Sequence, residues 1–204
     1  LLGLSPEKID YVLMTHMHHD HSGGLTRVNS EGNLVSKFPN AKIIVNDIEW
    51  YEMRNPNNRT RGTYLKENWE PIQDQVTTFS DSVEIIPEIQ MIHTSGHSNG
   101  HCIILLKQGE DTMIHMGDLM LTHVHRNPLW VPAVDDYPMK SISAKEKWLK
   151  QAFENGYKFF FYHDQFFAVA EFDKEGKEFV NYVLRSRPPV IPFTEQQDRR
   201  PDFL

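Results

Sequence analysis

The run His16-Met17-His18-His19-Asp20-His21 constrains this chain more than any other stretch, because its H-x-H-x-D-H pattern packs four potential metal ligands into six residues soon after the apolar segment Tyr11-Val12-Leu13-Met14. An apolar run of that length, followed past the motif by Ser22-Gly23-Gly24, reads as a buried strand emptying into a polar turn. Imidazole and carboxylate suit zinc or another first-row divalent ion, and a turn can aim neighbouring side chains at two centres where a helix cannot. The motif is read as the first half of a two-metal site at a strand end.

The 204 residues, 39% hydrophobic and 24% charged, suffice for one well-buried core and predict a single domain over 1–204. No stretch approaches the roughly 20 apolar residues of a membrane span, and no basic leader or signal-like core opens the chain, so a soluble protein without membrane contact is expected. Twenty-eight acidic residues against 21 basic ones give a net charge of −7, opposite to the footprint of a phosphate-backbone binder, so no nucleic-acid partner is expected. The single cysteine, Cys102, excludes an internal disulfide and sits in an apolar run, where it reads as a small core residue of a cytoplasmic protein.

Along the chain, Ser5-Pro6-Glu7 predicts a short helix with Ser at its N-cap, followed by a strand over 10–14. A helix is expected from His21 through Arg27, a strand at Lys42-Ile43-Ile44-Val45, and a helix capped by Asp47 that runs through Trp50 and Met53. Asn55 to Gly62 reads as a surface loop. Short strands are predicted at 83–86, 89–93, 102–106 and 112–116. Ser143 and Glu146 form a capping box ahead of the stripe Trp148, Leu149, Ala152 and Phe153, which ends near Asn155-Gly156. Lys158 to Tyr162 reads as an aromatic strand delivering His163, and the Pro-rich tail from Arg187 as extended. Strands mixed with helices, each key residue following a strand, describe an α/β layered protein with its site along one edge of the sheets.

Four segments carry the chemistry: the first motif, Thr94-Ser95-Gly96-His97, His115-Met116-Gly117-Asp118, and Phe161-Tyr162-His163-Asp164. This ordered set, H-x-H-x-D-H, then G-H, then G-D, then a final H, resembles the metallo-β-lactamase-fold hydrolase superfamily. Asp47-Ile48-Glu49-Trp50, Lys66-Glu67-Asn68-Trp69-Glu70, Thr122 to Val131 and Asp135-Asp136-Tyr137-Pro138-Met139 are similar to the YtnP-type quorum-quenching lactonases of that superfamily, from about Leu4 to about Asp164. The resemblance implies an αβ/βα sandwich. It implies that His16, His18 and His97 hold one divalent metal, that Asp20, His21 and His163 hold a second, and that Asp118 bridges them. Zinc is the expected metal, although the same donors accept Mn, Fe or Co.

Water shared by two such cations loses its proton near neutral pH, and the metals polarise a carbonyl, so opening of a lactone by hydroxide is the expected reaction. The resemblance, not the spacing, points to N-acyl-homoserine lactones. Asp20, bound at one metal, can also receive or pass on a proton. Acyl-homoserine lactonases usually carry a tyrosine three residues after the bridging Asp, and here that position is Leu121. His123, Tyr137 or Tyr162 can take its place, with His123 chosen as an imidazole close in sequence to Asp118. A phosphotriesterase or arylesterase of the same fold is the alternative enzyme, and a non-catalytic metal-binding module the alternative class. Family members also carry a strand-rich half before the first motif, whereas fifteen residues precede His16 and the chain begins Leu1-Leu2. An N-terminally truncated fragment lacking part of the N-terminal sheet is expected, with an exposed edge that favours a homodimer.

The other histidines have plainer readings. His19 is an exposed neighbour, His93 and His115 are expected to pair with backbone groups, and His101 is either a hydrogen-bond partner behind the site or a structural histidine under the turn.

Overall fold

The apolar run ahead of the histidine motif forms β1 (Tyr11–Leu13) in a computed structural model that describes residues 3–185. A short helix α1 (His19–Ser22) carries the end of the motif, and the hairpin β2 (Thr26–Val28) and β3 (Leu34–Ser36) follows it. Next come β4 (Lys42–Asn46), α2 (Asp47–Arg54), α3 (Lys66–Trp69) and β5 (Val76–Phe79). The strands β6 (Ser82–Ile86), β7 (Ile89–His93), β8 (Cys102–Gln108) and β9 (Asp111–His115) form an antiparallel meander. The chain then crosses through α4 (Pro138–Glu154) to β10 (Lys158–Phe160), β11 (Phe167–Phe172) and β12 (Phe179–Leu184).

Two sheets result. The smaller is all parallel, in the order β1-β4-β5, and the larger has seven strands in the order β12-β11-β10-β9-β8-β7-β6, with the crossover through α4 making β9 and β10 parallel. Alternation along the strands sorts the core into three slabs, because successive side chains leave opposite faces of a sheet. Ile43 and Val45 of β4 pack with Trp50 and Met53 of α2, while Ile44 between them faces the other sheet and meets Met91, Cys102 and Ile104. On the far side, Ile103, Leu105, Ile114 and Phe159 meet Trp148, Leu149 and Ala152 of α4. Helix, sheet, sheet, helix is the αβ/βα sandwich that the resemblance implied. Cys102 lies fully buried between the sheets, as expected for a core residue.

Several local expectations are corrected. The helix anticipated from His21 through Arg27 stops at Ser22, because Gly23-Gly24 break it and Thr26–Val28 pairs with β3 instead. The Ser143 and Glu146 capping box lies inside α4, which starts at Pro138, and Ser143 Oγ donates to the Met139 carbonyl one turn back. Proline at the first turn is the start signal there. The cap of α2 is Asn46, whose side chain accepts from the Ile48 N–H, and Asp47 is the first helical residue. Ser5 precedes a single 3-10 turn, Pro6–Lys8, without a side-chain cap. The strands β3, β5, β11 and β12 lie outside every strand expected from the sequence. The tail from Arg187 lies outside the described residues. Among the described residues, no helix is long and apolar enough to cross a membrane.

One buried charge fastens α4 to the loop before it. Lys145 is fully buried, and its Nζ donates to the carbonyls of Asn127 and Trp130 at 2.9 and 2.8 Å. Burial lowers its pKa from the usual 10.5 to about 8. Between those two values the unfolded chain holds a proton that the folded chain has released, so stability rises with pH across the window. A neutral amine keeps two hydrogens for two carbonyls, so the contacts survive deprotonation. Urea unfolding at pH 8 and pH 10 is therefore expected to show wild type gaining stability relative to Lys145→Met, and an unchanged difference would refute this.

Candidate metal centre

Every segment singled out by its histidines or carboxylates ends at one edge of the sandwich. After β1 the chain stays bound to both sheets: the Met14 N–H reaches the Ile44 carbonyl at 3.0 Å, and the Thr15 carbonyl accepts the Cys102 N–H at 2.8 Å. His16 and His18 leave this stitched segment, and Asp20 and His21 follow on α1. His97 projects from the β7–β8 loop, which is closed by N–H groups of Thr94 and Ser95 on the His101 carbonyl. Asp118 lies in a turn after β9, and His163 follows β10.

The side chains gather in two groups. His16, His18 and His97 form one and Asp20, His21, Asp118 and His163 the other, with one donor atom from each residue within 4.8 Å of the others in its group. Asp118 faces both: its Oδ2 lies 3.4 Å from His97 Nε2 and 3.9 Å from His16 Nε2, and its Oδ1 3.2 Å from His21 and 3.4 Å from His163. His21 and His163 are 3.1 Å apart, and His163 stands 3.4 Å from Asp20 Oδ2. All seven residues expected to ligate metal are thus brought together.

Three buried side-chain atoms have no hydrogen-bond partner among the described residues: His16 Nε2, His18 Nε2 and Asp118 Oδ1. Buried polar atoms are ordinarily satisfied, and each orphan costs about 1–3 kcal/mol. All three lie in this cluster, where an all-N/O donor set fits a divalent cation. Electrostatics point the same way. Burial, helped by neighbouring imidazoles, holds His16 well below its usual pKa and lowers His18 to about 3, so both present lone pairs. Burial opposes the charge of Asp118, but His163, His21 and His16 outweigh it and keep the carboxylate ionised.

The ring nitrogens that face away are held from behind. His16 Nδ1 meets Thr15 Oγ1 at 3.1 Å, and His97 Nδ1 meets Asp135 Oδ1 at 2.8 Å. Asp135 also accepts from Ser141, so its carboxylate fixes the His97 ring and leaves Nε2 as the atom turned to the cluster. Burial disfavours a charge on His97, yet Asp135 and Asp118 raise its pKa. His101 is buried, with Nδ1 on Thr94 and Nε2 accepting the Asp118 N–H, so it supports the turn that presents the carboxylate. Gly117 in that turn has φ +51, and a Cβ there would strike the His101 ring.

His123 stands apart from both groups. Its N–H and its Nδ1 both reach Asp164 Oδ2 at 2.7 Å, and its ring packs on Phe167 and Phe179. His93 and His115 pair with the Asn99 and Phe160 carbonyls, as expected, and His19 is exposed. The Tyr162 ring lies 4.7 Å from those of both His21 and His163, with its hydroxyl donating to the Asp20 carbonyl. Sequence reasoning missed Glu49, Tyr64, Asp135 and Asp164. Glu49 and Asp135 lay in segments that carried the lactonase resemblance, which was the available signal.

The sequence profile of the Metallo-beta-lactamase superfamily matches residues 1–163. An N-acyl homoserine lactonase of Bacillus cereus is 30% identical over 113 residues, covering 55% of this chain and 39% of the lactonase. The chain thus spans about two-fifths of the length of that curated relative. A probable metal-dependent hydrolase from Staphylococcus aureus superposes with a TM-score of 0.86 at 41% identity, over 92% of this chain and 66% of that one. AidC, a dizinc quorum-quenching lactonase solved with a product N-hexanoyl-L-homoserine, shares the fold with a TM-score of 0.73 at 19% identity, over 92% of this chain and 68% of its own.

Removing the carboxylate behind His97 tests the arrangement directly. Asp135→Ala is expected to weaken zinc binding by about 10–100-fold in equilibrium dialysis, the usual effect of losing such a partner. Unchanged affinity would mean that Asp135 does not orient the ring.

Proposed function

Because the chain belongs to the metallo-β-lactamase superfamily, we propose that it is a metal-dependent hydrolase that opens lactone rings, with N-acyl homoserine lactones as its substrate class. The observation that carries the reading is Asp118, one ionised carboxylate facing two groups of donors in a cluster where the buried His16 Nε2, His18 Nε2 and Asp118 Oδ1 have no hydrogen-bond partner among the described residues. His16, His18 and His97 would hold one divalent ion, Asp20, His21 and His163 the other, and Asp118 both. When bound, such cations, zinc in this reading, supply an acidified water as nucleophile and polarise the ester carbonyl.

The chain's own groups do the rest. Asp118 stays deprotonated and so can face both cations. The Asp20 side chain is 44% exposed, against 5% for Asp118, and is therefore the carboxylate open to solvent that can take up and pass on a proton. His123 is assigned to the substrate carbonyl or the departing alkoxide: Asp164 fixes its Nδ1, and Nε2 has no hydrogen-bond partner among the described residues on a partly exposed ring. The homoserine lactone is favoured by the relatedness to the Bacillus lactonase. Leu121, which offers no hydroxyl three residues after Asp118, favours aryl esters or phosphotriesters as the second reading. The lone buried cysteine suits a cytoplasmic setting.

Turnover decides between these. Zinc-loaded protein is expected to hydrolyse N-hexanoyl homoserine lactone, to stop on chelation and to recover on adding zinc. No hydrolysis of any lactone, ester or phosphotriester would leave a non-catalytic metal-binding module. Asp20→Asn should lower kcat by about 10²–10⁴-fold. His123→Ala should lower kcat with metal content unchanged, and full activity in that variant would remove His123 from the mechanism.

A further inference from the structure

Helix α2 brings one carboxylate into the protein interior at a place where nothing in the proposed chemistry uses it. Glu49 is fully buried. Its Oε1 accepts the Met17 N–H at 2.8 Å and the Tyr64 hydroxyl at 3.0 Å, and its Oε2 accepts the Ser98 hydroxyl at 2.6 Å. Met17 lies between His16 and His18, Ser98 directly follows His97, and the Tyr64 ring packs 5.2 Å from the His18 ring. The three hydrogen bonds therefore end beside all three imidazoles of the first group. The loop that carries His97 also lies directly on α2, since a Cβ at Gly100 would overlap the backbone of Glu49. Without that close approach Ser98 could not reach Oε2.

We infer that Glu49 is the positioning residue for the His16, His18 and His97 imidazoles: a single buried carboxylate that sets the spacing between the first motif and the His97 loop. Such a charge is costly to bury unless several donors meet it, and here three do. The donors come from three separate segments, so moving any one of them disturbs the same carboxylate. The second group receives none of these three hydrogen bonds, and the effect of losing Glu49 is confined to the first. The inference rests on the metal reading above only for its zinc readout.

The test uses the full chain and two measurements, stepwise zinc affinity by competition with a chromophoric chelator and the ring-nitrogen resonances of the histidines in metal-free protein. Glu49→Ala is expected to weaken one zinc step by about 10–100-fold while leaving the other unchanged. A role confined to general stability would lower the melting temperature and leave both affinities of the folded protein intact. Where Glu49→Ala does not fold, Ser98→Ala carries the zinc test, with an expected loss of about 2–10-fold, the worth of one hydrogen bond. In Glu49→Gln and Ser98→Ala, the resonances of His16, His18 and His97 should move and those of His21 and His163 should not. Folded Glu49→Gln and Ser98→Ala with wild-type affinities and unmoved resonances would overturn the inference. If wild-type protein takes up no zinc, the metal reading fails on its own, and the resonances alone then uphold or overturn the role of Glu49.

Discussion

A carboxylate held among imidazoles is the contact on which this structure turns. Asp118 lies within 3.2–3.9 Å of ring nitrogens from His16, His21, His97 and His163, residues drawn from three other segments of the chain. Local propensity gives those segments no reason to meet, and bringing them together buries lone pairs that the described protein atoms do not satisfy. A cluster of that kind opposes folding by itself, so the surrounding scaffold has to over-determine it. A cation that binds the folded cluster reverses the sign of that opposition, because its binding energy then favours the folded chain.

The over-determination comes from two sheets packed face to face, with the site along one edge of the sandwich. β1 carries the first motif, and the Thr15 carbonyl is bonded to the first residue of β8. β9 and β10 run parallel side by side, so Asp118 and His163, each just past a strand end, emerge on the same side. The apolar slab of Ile44, Met91, Cys102 and Ile104 then holds the two sheets in place. Slipping a strand by a single residue within its own sheet would reverse which of its side chains face this slab, so the register that buries Ile44 and Ile104 also sets the spacing of the ligands.

How much of this was legible in the sequence follows from what each feature depends on. The strands bearing ligands could be read because apolar runs ending in small or polar residues are local signals, as at Tyr11–Leu13 and Cys102–Gln108. The ligands could be read because their order in the chain is a pattern in itself. β5 and β12 could not: Val76-Thr77-Thr78-Phe79 and Phe179–Leu184 are half-exposed edge strands without a clean alternation, and pairing with β4 and β11 is what makes them strands. The start of α4 was misplaced because a Ser-x-x-Glu pattern has the same spelling inside a helix as at its end. Glu49 and Asp135 were opaque for a different reason. Their role lies in which atoms they touch across the fold, and an acidic residue in a helix or loop is by default a solvated one.

The two halves of the cluster are not equally enclosed. His16 and His97 are sealed, with side-chain exposures of 0% and 2%, whereas Asp20 and His163 stand at 44% and 30%. The sealed half is the one fixed from behind by Glu49, Thr15 and Asp135. The open half is bordered by Tyr162, more than half exposed, with its phenol resting on the Asp20 carbonyl. Rigidity and access are thereby separated within a few ångströms: one group of donors is locked by buried hydrogen bonds, and the other keeps a solvent-facing carboxylate and an aromatic rim. A substrate of the proposed kind would arrive over Asp20 and His163, the ligands most open to solvent among the described residues, and the same carboxylate would carry away the proton released in hydrolysis.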